Sequence, residues 1–189
     1  MNVFGASSLL LLTQSSVASA ALYDSVLQTQ YGALQGYPAF DSEPAGNLTN
    51  WSNITVWKNI PYAADTSGSN RWRPPRNASA WDGTREAADY GPICPSVLTN
   101  TGDYNVSEDC LNLNIWSAAE SVDAKLPVVI WSTPAISTAR DALFDGGGMA
   151  TQNVVYVNYN RRDGVFGYLA HPELSEEMLT EVGVNASGN

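Results

Sequence analysis

Histidine, cysteine and basic residues are all scarce in this sequence, and each scarcity closes off a class of function. One histidine and two cysteines, Cys94 and Cys110, are too few for a metal centre, which would want further Cys or His ligands beside them. Nine lysines and arginines against nineteen aspartates and glutamates leave a net charge of -10. That is the wrong sign for nucleic acid or an anionic membrane surface, both of which need a positive footprint. No stretch is long and apolar enough for a transmembrane helix. The run Gly146-Gly147-Gly148 has neither the spacing nor the lysine of a phosphate loop, and nothing else calls for a cofactor.

What is present can build a core. The chain has 189 residues, 44% of them hydrophobic, with six Trp and nine Tyr, which is the composition of a globular domain. Leu9 to Leu12 form a short apolar run and Ala18-Ser19-Ala20 ends it with small residues, the pattern of a cleaved signal peptide over residues 1–20. A mature chain over 21–189 that is secreted and extracellular follows from this reading. Six N-x-[ST] sequons, at Asn47, Asn50, Asn53, Asn77, Asn105 and Asn185, fit a secreted glycoprotein, three of them packed into one polar loop.

Along the mature chain the clearest element is the strand that starts at Cys110, where Leu111, Leu113 and Ile115 alternate with Asn112, Asn114 and Trp116 and set an apolar row on one face. In an oxidising compartment Cys94 and Cys110 have only each other to pair with, and closing so short a loop contributes roughly 3 kcal/mol. Val26 to Gly36 reads as a hairpin, Asp41 to Asn53 as an insertion loop and Ile54 to Lys58 as a strand. Arg71-Trp72-Arg73-Pro74-Pro75 cannot be a helix interior.

Pro127 to Trp131 and Val154 to Tyr159 have the form of strands buried on both faces of a parallel sheet. Gly146 to Gly148 reads as a flexible turn between them. Pro172 to Met178 starts an acidic helix whose Glu173, Glu176 and Glu177 form a solvated face. Helices to cover the sheet are otherwise lacking, so the sequence reads as the front portion of a larger domain with an open edge after Val154 to Tyr159.

Four stretches carry a resemblance: Glu108-Asp109-Cys110-Leu111-Asn112-Leu113-Asn114-Ile115-Trp116, Ile60-Pro61-Tyr62-Ala63, the Arg71 to Pro75 turn, and Leu169-Ala170-His171-Pro172-Glu173-Leu174. Together they resemble the type-B carboxylesterases. The resemblance implies an α/β fold, the N-terminal part of an α/β-hydrolase with its hairpin and the first strands of a central, mostly parallel sheet, incomplete within this chain. It also implies an ion pair between Arg71 and Glu108, a non-catalytic His171, and Gly146-Gly147-Gly148 at a helix start. In related enzymes the loop between the two cysteines borders the active-site mouth; here it is short and polar, which favours soluble esters.

The complete family member attacks a small-molecule carboxylic ester through a serine and forms an acyl-enzyme, without cofactor or metal. This chain departs from that pattern twice. The nucleophile motif G-x-S-x-G is absent, so no catalytic residue maps onto it. Where the family carries a glycine-rich oxyanion loop stand Thr133, Pro134, Ala135 and Ile136, and Pro134 has no N–H to give. Arg161 and Asp163 also replace bulky neutral residues.

Two readings stand side by side. One is the N-terminal portion of a secreted carboxylic ester hydrolase, inactive as the 189 residues are written. The other is a non-catalytic, cholinesterase-like secreted glycoprotein used for binding or adhesion, or the product of a decaying or mis-spliced gene.

Overall fold

The computed structural model describes residues 21–96, 104–134 and 137–187. The signal-peptide reading on 1–20 and the expected loop residues Ala135 and Ile136 lie outside the described residues. Two sheets organise the rest. The smaller contains β1 (Val26–Thr29) and β2 (Gly32–Gln35) as an antiparallel hairpin, with β5 (Thr84–Glu86) added parallel to β2. The hairpin is closed by Thr29, whose hydroxyl donates to the Gly32 carbonyl at 2.7 Å and accepts from the Tyr31 and Gly32 amides.

The larger sheet runs β3 (Tyr37–Pro38), β4 (Thr55–Pro61), β6 (Asn112–Ser117), β8 (Val155–Tyr159), β7 (Val128–Ser132). Three of its pairings are antiparallel, and β7 with β8 is parallel. Its core follows from cross-strand rows. Val56, Trp116 and Tyr156 are register partners on one face and pack with Ile54 and with Ala150 of helix α1 (Gly147–Ala150). On the other face Trp57 partners Ile115, and Trp57 packs with Leu34 and Ala87, joining the two sheets. β4 therefore feeds both cores, because a strand directs alternate side chains to opposite faces. The Trp57 indole N–H has no partner among the described residues. A bulge between Trp57 and Ile60 is turned by Asn59 in the left-handed region, at φ 57°, a conformation asparagine tolerates.

Four expectations are corrected here. First, the more deeply buried face of β6 is the one that carries Asn112 and Asn114 beside Trp116, while Leu113 and Ile115 are only half-buried, and Leu111 precedes the strand and packs with Ala63 and the two cysteines. Second, the strand of Pro127 to Trp131 is not covered on both faces, with Val128 60% and Ile130 67% exposed. Third, the open edge of the sheet is this β7, since β8 is paired on both sides, by β6 and β7. The parallel pairing inserts the later strand between the two earlier ones, an order that local hydropathy does not encode. Fourth, Gly146-Gly147 is no flexible turn: both are buried, and a side chain at Gly146 would collide with Tyr156 and Trp116, at Gly147 with Phe40. Their lack of a Cβ lets α1 sit against the sheet.

Beyond β8 come two more helices, α2 (Gly164–Tyr168) and α3 (Pro172–Val182). The α3 helix starts at His171, whose Nδ1 accepts from the Glu173 amide, with Pro172 in the first turn, and ends at Gly183 in the left-handed conformation. No helix among the described residues is long and apolar enough to cross a membrane.

Candidate active site

Strands β7 and β8 run parallel, so their carboxyl ends, Ser132 and Tyr159, lie side by side. In open α/β sheets this end of the strands is where ligands bind. The residues that leave it are Thr133 and Pro134 from β7, and Asn160 and Arg161 from β8. Thr133 is buried and Pro134 exposed. The Arg161 guanidinium donates to the Thr133 carbonyl at 2.5 Å and to its hydroxyl at 3.4 Å. Arg161 therefore tethers the first residue that leaves β7.

Under this loop lies a row of buried asparagines that sequence reasoning missed. Asn114 and Asn158 are register partners on β6 and β8, and Asn114 Nδ2 donates to Asn158 Oδ1 at 2.8 Å. Asn158 Nδ2 in turn donates to the carbonyls of Ala139 (3.1 Å) and Phe144 (2.9 Å). One rung further, Asn160 Oδ1 accepts from the Ala139 amide at 3.0 Å while its Nδ2 donates to Asn112 Oδ1 and the Pro92 carbonyl, both at 3.2 Å. Both main-chain groups of Ala139 are thus held by asparagine side chains. A buried amide is stable only when its donors and acceptors are paired, and these pair with the segment returning from β7. The signal that could have found them was in view, as asparagines alternating with apolar residues on two strands.

Cys94 and Cys110 are joined by a disulfide with Cα atoms 5.0 Å apart. Cys94 and Ser96 border a cavity of about 10 Å³ shared with Thr133, Thr138, Arg161 and Asp163, space for a single water. Arg71 grips Glu108 with both ends of its guanidinium, Nε to Oε2 at 2.7 Å and Nη2 to Oε1. That hydrogen bond and the Glu108 charge push the Arg71 pKa up. The pair is half in solvent, with the Arg71 side chain 40% exposed. Tyr62 completes the rim: its hydroxyl donates to the Asn160 carbonyl at 2.5 Å, and burial with Tyr159 beside it pushes its pKa to about 12, so it remains a neutral donor.

A wider cleft of about 400 Å³ lies between the two sheets, bounded by Asp65, Trp81, Arg85, Asp109 and Asn112. Burial and the nearby Asp65 push the Asp109 carboxyl up, opposed by Arg85. The lining holds no histidine or cysteine, so its Ser79 has no such base within the cleft. Among the described residues no three His, Cys, Asp or Glu side chains are grouped to hold a metal ion. His171 caps α3, and Glu177 is engaged by Arg73 rather than solvated, which corrects the expectation for that face. Of the sequon asparagines, Asn47, Asn50, Asn77, Asn105 and Asn185 are exposed and Asn53 is half-buried.

This strand-end arrangement can be set beside known proteins. The carboxylesterase family profile matches residues 23–181. The chain is similar to the fumonisin B1 esterase of Sphingopyxis macrogoltabida, 40% identical over 132 residues, which are 67% of this chain and 24% of that protein. It is similar also to the para-nitrobenzyl esterase of Bacillus subtilis, 30% identical over 168 residues, 84% of this chain and 32% of that protein. Among solved structures, a Geobacillus stearothermophilus carboxylesterase superposes with a TM-score of 0.65 at 33% identity, covering 87% of this chain and 30% of the other. The chain spans about a quarter to a third of the length of these relatives.

Proposed function

Because this chain belongs to the carboxylesterase family, we propose that it is the N-terminal portion of a secreted serine hydrolase acting on small carboxylic esters. The observation that carries this is the junction of Thr133 and Arg161 at the carboxyl ends of the parallel strands. It supports this reading because ligands bind at the carboxyl ends of the strands in open α/β sheets, the end from which an oxyanion loop after β7 would donate. Disulfide-bonded Cys94 and Cys110 and the Arg71–Glu108 pair brace the entrance loop. The exposed sequon asparagines, Asn47, Asn50, Asn77, Asn105 and Asn185, carry sugar, and residues 1–20 are the leader that directs the chain outside.

The 189 residues themselves lack G-x-S-x-G, and Pro134 removes one N–H from the loop. They therefore form no acyl-enzyme. That loop favours a second reading, a non-catalytic glycoprotein that keeps the esterase scaffold for binding. The deciding experiment sequences the transcript, expresses both the 189-residue chain and any extension, and exposes each to a chromogenic short-chain ester and a serine-directed phosphonate. We expect turnover and stoichiometric labelling in the extended protein and neither in the shorter one. Labelling of the 189-residue chain would overturn the site assignment. An extended protein with a nucleophile motif that neither turns over nor labels would leave the binding role as the reading.

A further inference from the structure

We infer that Arg73 is an electrostatic latch that docks α3 onto the Arg71–Pro75 turn, so that ionic strength sets whether this helix is held or free. Arg73 Nη1 donates to both oxygens of Glu181, at 2.6 and 2.8 Å, and Nη2 donates to Glu177. Among the described residues the ion pairs that reach α3 from outside it all come from this one side chain. The helix has little else to hold it. Met178 is its single buried residue, while Leu179 and Val182 are more than half exposed. The turn is itself fixed from behind, because Arg162 donates to the Arg73 carbonyl at 2.8 Å and the Trp72 indole to the Val165 carbonyl at 2.9 Å.

The charge pattern of α3 makes sense only with the latch closed. Glu177 and Glu181 are one turn apart and repel each other, and Glu181 lies in the last turn, which carries no basic residue, where a negative charge opposes the helix dipole. Both features weaken a free helix. A single guanidinium bridging the two carboxylates removes the repulsion and supplies the missing positive charge. A planar fork serves two carboxylates where a lysine ammonium is a point charge. The side chains stay partly exposed, Arg73 at 25% and the glutamates near 40%, so dissolved salt reaches the contact. This inference goes beyond the proposed activity and does not depend on it.

The test is hydrogen exchange read by mass spectrometry over the α3 peptide, with the β6 and β8 peptides as internal reference. Arg73→Gln should raise exchange in α3 about tenfold, the order of two partly exposed ion pairs acting together. Molar salt should do the same to the unaltered protein and add nothing to the variant. Arg73→Lys should recover part of the protection. The double change Glu177→Gln with Glu181→Gln separates latch from helix propensity, because it strengthens a free helix and opens a latched one. A latch predicts faster exchange in that variant and no further effect of adding Arg73→Gln. Unchanged or slower exchange in α3, or a loss shared equally by β6 and β8, overturns the inference.

Discussion

Replacing Asn158 by leucine removes the centre of the asparagine row and tests whether it holds the segment returning from β7. Asn158 is fully buried and makes three side-chain hydrogen bonds, accepting from Asn114 and donating to Ala139 and Phe144. In N158L the Phe144 carbonyl loses its bond to this side chain, and Ala139 keeps one amide bond from Asn114, at 3.4 Å. Each bond contributes about 1 kcal/mol net, and each polar group left buried without a partner costs about 1 to 3 kcal/mol. Three lost bonds and one stranded carbonyl, less the gain from burying an apolar side chain, give a loss of about 3 to 5 kcal/mol, a large share of a typical domain's stability. Urea unfolding followed by tryptophan fluorescence reads it directly, since Trp116 is buried on the same face.

The N158D variant adds a sign. Its carboxyl would face two carbonyl oxygens in a buried site, which favours the protonated form and raises its folded pKa above the unfolded value of about 3.9. The folded state then holds the proton more tightly. Stability is greatest below about pH 4 and falls as pH rises through the raised value. An N158L midpoint equivalent to less than about 1 kcal/mol of loss, or an N158D protein that gains stability across that rise, would refute the reasoning.

Three further outcomes follow from the geometry. Arg71→Gln should lower the urea midpoint only slightly, because the Arg71 side chain is 40% exposed and the pair is screened, and salt should erase most of the difference; a midpoint shift as large as that of N158L would contradict it. Ile130→Lys should reduce aggregation, measured by light scattering, because it puts a charge on the uncovered β7 edge, while stability changes by less than about 0.5 kcal/mol. Glycosidase treatment of secreted protein should remove sugar from Asn47 and Asn50 but not from Asn53, which is half-buried with Thr55 of its sequon fully buried; peptide mapping that finds Asn53 the most occupied would count against the fold of this loop.

The hairpin was legible in its glycines, β6 in its alternation, β7 and β8 in their apolar runs and α3 in its proline and acidic first turn, whereas the short strands β3 and β5 carried no such signal. The environment of the legible elements was not. The alternation marked Leu113 and Ile115 as an apolar row, yet the structure buries Asn112 and Asn114 more deeply, because their side-chain hydrogen bonds are satisfied inside. Likewise Val128 and Ile130 look like core residues and lie on an edge, since apolar composition records what a strand can bury and not whether a neighbour is there to cover it. Arg161 was marked as a departure, but its contact with Thr133 needed the parallel register of β7 and β8 to be seen.

The segment that leaves β7 and the asparagines that support it answer to different demands. The asparagines at 114, 158 and 160 reach Ala139 and Phe144 through main-chain atoms only, so their bonds are indifferent to which side chains stand at Thr133 and Pro134. Arg161 also takes the Thr133 carbonyl, a group every residue possesses. Oxyanion stabilisation depends instead on main-chain N–H groups aimed at one point, and proline is the one residue that cannot supply such a donor. Folding therefore places little constraint on the side chain that stands at Pro134. A side-chain change at Pro134 should cost the sheet little, whereas loss of Asn158 strands the Phe144 carbonyl and loosens the segment it holds.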